Sequence, residues 1–179
     1  MKWLTAAVLF IAFTVRAEPE MCFTKAGHDF GIDPRLLMAH SIQESRMRNN
    51  AINNKSARKS TDVCNMQINS SNFNALKKFN ITRERLLADP CICIYTGAWI
   101  EASNFKKYGR TWDTVGMYNT GPNPKLIKQR REYATIIKSI YRVLVARDEV
   151  YARMNKTGPL EKKLPSITLS RNEQGTPQK

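Results

Sequence analysis

Fifteen carboxylates are available to do chemistry in this chain, and most have an ordinary explanation. Asp33 and Asp89 each precede a proline and read as helix N-caps. Glu18, Glu20, Glu161 and Glu173 lie near the ends, and Glu84, Glu132, Asp148 and Glu149 sit among polar or basic neighbours. Glu101 is ambiguous. Glu44 differs from all of these. With Leu37 and Ser41 it falls at i, i+4 and i+7 of the helix that Asp33 starts, which puts its carboxyl on the apolar stripe. It also lies in the last turn, where the negative end of the helix dipole disfavours a negative charge. Both effects raise the pKa, as a general acid working near neutral pH requires. The structural alternatives are a buried glutamate paired with a nearby arginine, or a surface residue on a frayed helix end.

Other chemistries find less support. His28 and His40 belong to no Ser-His-Asp arrangement; His40, four residues before Glu44, is within helical reach of it but also reads as an ordinary core or surface histidine. The C-x-C at Cys91 and Cys93 lacks the usual C-x-x-C ligand spacing, so no metal is expected. The four cysteines read instead as two disulfides, with three pairings open. Cys91 and Cys93 do not face each other on a helix, so each is expected to find a distant partner. The basic run "KQRREY" (128–133) reads as a solvated helix face, and no stacking-aromatic motif accompanies it, so nucleic acid is not expected as a partner.

The elements that must position these residues are mostly helical. "FGIDPRLLMAHSIQES" opens on Asp33 and Pro34; "ADPCICIYTGAWIEASNFKKYG" repeats the device with Asp89 and Pro90 and ends near Gly109. A shorter helix is predicted in "RTWDTVGMYN", with Thr111 as its cap. A long final helix follows from Asn123, with Tyr133, Ile136, Ile137, Ile140, Tyr141 and Leu144 on its buried side. Residues 49–70 break the pattern, being rich in Asn, Ser and Lys, and predict a loop with a short irregular β-hairpin. The expected fold class is therefore α+β, mostly α.

The chain's 179 residues favour one domain. Residues 1–17 combine Lys2, an apolar run from Leu4 to Val15 and a small residue at 17, the layout of a secretory signal peptide. The run is too short to favour a permanent membrane span. Cleavage after Ala17 removes Lys2 and Arg16 and lowers the formal charge from +14 to +12. All four cysteines lie beyond that point, which fits an oxidising compartment. The expected organisation is a signal peptide at 1–17, a domain at 18–154, and a polar, proline-dotted, mobile basic tail at 155–179. The positive charge predicts an anionic neighbour such as nucleic acid, phospholipid or bacterial cell wall, and does not choose among them.

Four short motifs then fall in order: "ES" (44–45), "STDVCNMQINS" (60–70), "DPCICIYTGA" (89–98) and "MYNTG" (117–121). This succession resembles the lysozyme-like lytic transglycosylases (the SLT family), particularly the small exported ones that accompany bacterial type III and type IV secretion systems. The resemblance runs from about Cys22 to Tyr141 and implies a lysozyme-like fold. It implies Glu44 as the catalytic glutamate, and Ser45, Met66, Gln67, Tyr118 and Asn119 as substrate contacts. Its G-L-M-Q motif falls on Cys64-Asn65-Met66-Gln67, where cysteine stands in the glycine's place. Its early and later cysteines match Cys22 and Cys91 and suggest that they pair, which leaves Cys64–Cys93 as the economical second bridge. Met117 and Thr120 replace the two alanines around Tyr-Asn and are expected to narrow the groove.

The implied substrate is peptidoglycan, cut between N-acetylmuramic acid and N-acetylglucosamine with formation of a 1,6-anhydro ring. No cofactor is implied, and the protein is expected to be an exported periplasmic monomer with components of a secretion apparatus as possible partners. "STD…QINS" is also similar to the active-site hairpin of chicken-type lysozymes, in which Asp62, 18 residues after Glu44, would support or attack the sugar cation. A hydrolytic muramidase using Glu44 and Asp62 is thus the alternative enzyme, and for Asp62 a turn residue bonding its own backbone is the structural alternative. A wall-binding module with an inactive site is the non-enzymatic alternative.

Overall fold

Asp33 and Asp89 start their helices as the sequence predicts. In the computed structural model, which describes residues 19–54 and 60–157, the Asp33 side chain accepts the backbone N–H of Arg35, and Asp89 accepts those of Cys91 and Ile92. Each cap satisfies donors that the first turn leaves without a partner. The expected signal peptide (1–17) and residues 158–179 of the expected tail lie outside the described residues.

The described helices are α1 (Pro19–Phe30), α2 (Pro34–Ser45), α3 (Phe73–Leu76), α4 (Arg83–Ala88), α5 (Pro90–Tyr108), α6 (Trp112–Thr120) and α7 (Ile127–Thr157). Between α2 and α3 lies an antiparallel sheet of three two-residue strands, β1 (Ile52–Asn53), β2 (Asp62–Val63) and β3 (Ile68–Asn69). Ile52 pairs with Val63, and Asp62 pairs with Asn69. The predicted hairpin is therefore part of a three-stranded sheet, and α1 is a helix that the sequence reading did not delimit. Gly109 ends α5, and Thr111 caps α6 by accepting the N–H of Thr114, both as expected.

The chain divides into two units, Met1–Ala146 and Arg147–Lys179. In the second, residues 147–157 continue α7 and include Asn155–Thr157, the first three residues of the expected tail. In the first, the core gathers Phe23 and Ala26 from α1, Leu36 and Leu37 from α2, Ile94 and Ala98 from α5, and Tyr133 and Ile137 from α7. α5 carries a backbone close approach: a Cβ on Gly97 would lie 2.6 Å from Met66 Cε, so glycine there lets the loop after β2 sit directly on the helix. The predicted buried side of α7 is right for Tyr133, Ile137 and Leu144, but Ile136 is 43% exposed. It neighbours Ile137 in sequence, and a helix turns about 100° per residue, which carries Ile136 off the buried face.

Both disulfides suggested by the resemblance are formed, Cys22–Cys91 with Cα atoms 5.3 Å apart and Cys64–Cys93 with Cα atoms 6.2 Å apart. The first ties α1 to the start of α5 and closes a loop of 69 residues, and the second closes 29. In the chain-entropy treatment these contribute about 4 and about 3–4 kcal/mol. Cys64 has φ +63°, the left-handed region that favours glycine. A side chain in that conformation costs roughly 1–2 kcal/mol, so the bond to Cys93 more than offsets the replacement. It follows that C64G/C93A, which lacks the bridge but restores a glycine, should be about 1 kcal/mol more stable than C64A/C93A in urea unfolding. Equal midpoints for the two variants would refute the strain argument.

Candidate active site

Glu44 lies one residue before the end of α2, and its carboxyl enters a cleft of about 640 Å³. Asp62 and Asn69 line the cleft from the sheet, Gln67 from the loop between β2 and β3, Ile100 and Asn104 from α5, and Met117, Tyr118 and Asn119 from α6. The sequence had placed Glu44 on the apolar stripe with Leu37 and Ser41, and both of those are fully buried. No arginine is paired with Glu44 among the described residues, so the ion-pair alternative is not what the fold builds. Its partner is a tyrosine of α7, 89 residues away in sequence: the Tyr133 hydroxyl donates to Glu44 Oε1 at 2.5 Å.

Burial dominates the electrostatics. It pushes the Glu44 carboxyl up to about 7; the Tyr133 hydrogen bond opposes the rise, and the charge of Asp62 adds to it. Tyr133 is itself held well above the ordinary tyrosine range, first by burial and then by the Glu44 charge, so it keeps its proton and remains a donor. The cleft thus holds a carboxyl that changes charge near neutral pH beside a hydroxyl that does not.

Each expected site residue has a definite place. Asp62 lines the cleft and accepts from Asn69 Nδ2 at 2.7 Å, a bond between directly opposed residues of β2 and β3. Gln67 also lines it, with its amide nitrogen donating to the Cys64 carbonyl at 2.9 Å, and its backbone is left-handed at φ +49°. Tyr118 donates its hydroxyl to the Met66 carbonyl at 2.9 Å, and Asn119 is exposed at the rim.

Two expected substrate contacts are corrected. Ser45 is 4% exposed, and its hydroxyl donates to the Asn65 carbonyl at 2.8 Å, tying the end of α2 to the loop after β2. Met66 is fully buried against Gly97. Both adjoin cleft residues in sequence, but helix and loop geometry turns them inward. Thr120 likewise does not narrow the groove: it is buried and receives Arg130 Nε at 3.3 Å.

The run "KQRREY" is not wholly a solvated face. Arg130 is 5% exposed and clamps the segment after α6, donating to the carbonyls of Gly121 and Asn123 at 3.0 and 2.9 Å and to Asp113 at 3.2 Å. Tyr133 closes the same run. The sequence reading put it on the buried side of its helix without connecting it to Glu44; the only available signal was a hydroxyl at a core position, which must find a partner.

A lone raised carboxyl in a polar cleft, framed by helices and a small sheet, defines a class of fold before any comparison. The Transglycosylase SLT domain family matches residues 21–141, and the chain belongs to that family. It is 41% identical over 143 residues to the X polypeptide of Escherichia coli, covering 78% of this chain and 83% of that protein. It is 43% identical over 124 residues to the invasion protein IagB of Salmonella typhimurium, covering 69% and 76%. To the protein IpgF of Shigella flexneri it is 34% identical over 142 residues, covering 79% and 88%.

A carboxyl raised to about 7 in the folded state binds a proton that the unfolded chain has released above about pH 4.5. Its contribution favours folding below that range and is lost as pH rises through 7. Glu44→Gln keeps an acceptor for Tyr133 but cannot ionise. By urea titration, its unfolding free energy relative to the parent protein should therefore improve from pH 5 to about pH 7 and level off above it, and a difference independent of pH would contradict the burial of Glu44.

Proposed function

We propose that this protein is a peptidoglycan lytic transglycosylase, exported to the bacterial periplasm, in which Glu44 works alone as acid and then base. The observation that carries the reading is the Glu44 carboxyl, raised to about 7 by burial and held by Tyr133 in a cleft lined mostly by polar side chains. Protonated Glu44 gives its proton to the glycosidic oxygen between N-acetylmuramic acid and N-acetylglucosamine as the bond to C1 breaks. The muramic 6-hydroxyl then attacks C1, and its proton returns to Glu44. The result is a 1,6-anhydro ring, and the carboxyl is restored with no water consumed. A single group fills both roles because its pKa lies near the working pH.

Gln67, Tyr118 and Asn119 are the proposed sugar contacts, together with Asn69 and Asn104 from the cleft walls. In this reading Asp62 supports Glu44 electrostatically: its negative charge in the same cleft keeps the acid protonated. Export is supported by two disulfides, by the signal-like residues 1–17, and by the fact that no described helix is long and apolar enough to cross a membrane. A relative bearing the name of an invasion protein supports a role in opening the wall locally for a secretion or conjugation apparatus.

Mass spectrometry of muropeptides released from purified peptidoglycan tests both catalysis and reaction type. The parent protein should release 1,6-anhydro ends, and Glu44→Gln should lose at least 10²–10⁴-fold in rate while remaining folded. Reducing ends, with a comparable loss in Asp62→Asn, would assign a hydrolytic muramidase instead. No release by a folded parent protein would leave a wall-binding module.

A further inference from the structure

Behind Tyr133 the molecule buries two more titratable groups that the proposed reaction does not use. His40, fully buried on α2, places Nδ1 2.9 Å from the Tyr133 hydroxyl. Its Nε2 points the other way, 3.9 Å from Oε1 of Glu101 on α5, which is also fully buried. Neither carboxyl oxygen of Glu101 nor Nε2 of His40 has a hydrogen-bond partner among the described residues. Buried polar groups are ordinarily satisfied, and among the described residues these two groups face each other. Closing the gap takes an approach of about 1 Å. The His40 ring is held in place by Tyr118 at 4.5 Å and Tyr133 at 5.8 Å between centroids. Four side chains from three helices thus form one line: Glu101, His40, Tyr133, Glu44.

The line has only two consistent hydrogen arrangements, because neutral histidine carries one N–H and tyrosine one O–H. In the first, Glu101 is a neutral acid donating to Nε2, Nδ1–H donates to the Tyr133 oxygen, and Tyr133 donates to Glu44. In the second every bond reverses: Glu101 accepts from Nε2–H, either ionised or as a neutral acid through its carbonyl oxygen, Tyr133 donates to Nδ1, and Glu44 must donate its own proton to Tyr133. The second leaves Glu101 with either a buried charge or an O–H that has no acceptor among the described residues. We propose that Glu101 is a positioning residue: as a neutral acid it holds His40 in the Nδ1–H tautomer, which aims the single hydroxyl proton of Tyr133 at Glu44. Burial acts in the same direction, pushing the Glu101 carboxyl well above the carboxylate range and His40 down to about 3. The proposal rests on the reading of Glu44 as the acid–base carboxyl.

The consequence falls on Glu44. A donor fixed on its carboxylate favours the ionised form and prevents burial from raising the pKa further. The other titratable groups acting on this line are Asp62 from β2 and Tyr118 from α6.

The test is NMR without substrate. Only two histidines are present, so the His40 tautomer can be read from its ring-nitrogen shifts while Glu44 is titrated by its carboxyl-carbon shift. The parent protein and Glu101→Gln, whose amide still donates, should show His40 as Nδ1–H throughout pH 5–9, with similar Glu44 midpoints. Glu101→Met removes the donor and leaves an apolar side chain of similar size. There His40 should switch tautomer as Glu44 titrates, and the Glu44 midpoint should rise by roughly one pH unit. An Nε2–H tautomer in the parent protein would overturn the proposal, as would a folded Glu101→Met variant with the parent's tautomer and midpoint. Because no substrate is present, such a failure leaves glycan cleavage untouched. Absence of muropeptide release with the expected titrations would instead sink the enzymatic reading alone.

Discussion

A carboxyl group taken out of water must be offered a counter-charge or a hydrogen bond, and Glu44 is offered a single hydroxyl from 89 residues away in sequence. Most of the molecule's organisation can be read as the means of keeping that contact. α2 must end one residue beyond Glu44, so that the carboxyl clears the helix while its backbone stays packed on the core. α7 must lie close enough to deliver Tyr133, and Arg130, one turn earlier on the same helix, secures this by fastening to the segment that leaves α6. A counter-charge in the tyrosine's place would have kept the carboxyl ionised at neutral pH.

The sheet side of the cleft is held by different means. Strands of two residues bring too few ladder hydrogen bonds to hold their own position, and four left-handed or buried loop residues, Cys64, Asn65, Met66 and Gln67, lie between β2 and β3. The loop is fastened instead by covalent and polar anchors: Cys64 to Cys93, the Asn65 carbonyl to Ser45, and the Met66 carbonyl to Tyr118. These reach α5, α2 and α6 respectively, so the loop is located by all three helices that frame the cleft. Asp62 and Gln67 consequently face the same space as Glu44 although strand propensity contributes little.

Much of this was legible in the residues. Asp-Pro pairs announced α2 and α5 because capping and a fixed proline φ are local effects that act wherever they occur. Glu44 stood out because helical periodicity exposes a polar residue on an apolar stripe. Ser45, Met66 and Thr120 were misplaced because a motif gives the neighbourhood of a residue, whereas the direction of its side chain depends on the local backbone and on what packs above it. Arg130 looked like one more charge in a basic run; only the crossing of α6 and α7 gives its guanidinium three carbonyl and hydroxyl acceptors in one place.

By itself the sequence determined helices α2, α5, α6 and α7, the number and oxidation of the cysteines, and the identity of the one carboxyl whose helix face and terminal position favour protonation. These follow from periodicity, caps and composition, all of which act over a few residues. The tertiary structure alone decided what that carboxyl meets. Tyr133, His40 and Glu101 come from α7, α2 and α5, and their alignment depends on the packing angles of those helices, which no short-range pattern records. Glu101 in particular was only ambiguous on paper, since a carboxylate on a helix is ordinary. Burial without a partner, 3.9 Å from a buried imidazole, is what separates it from the rest.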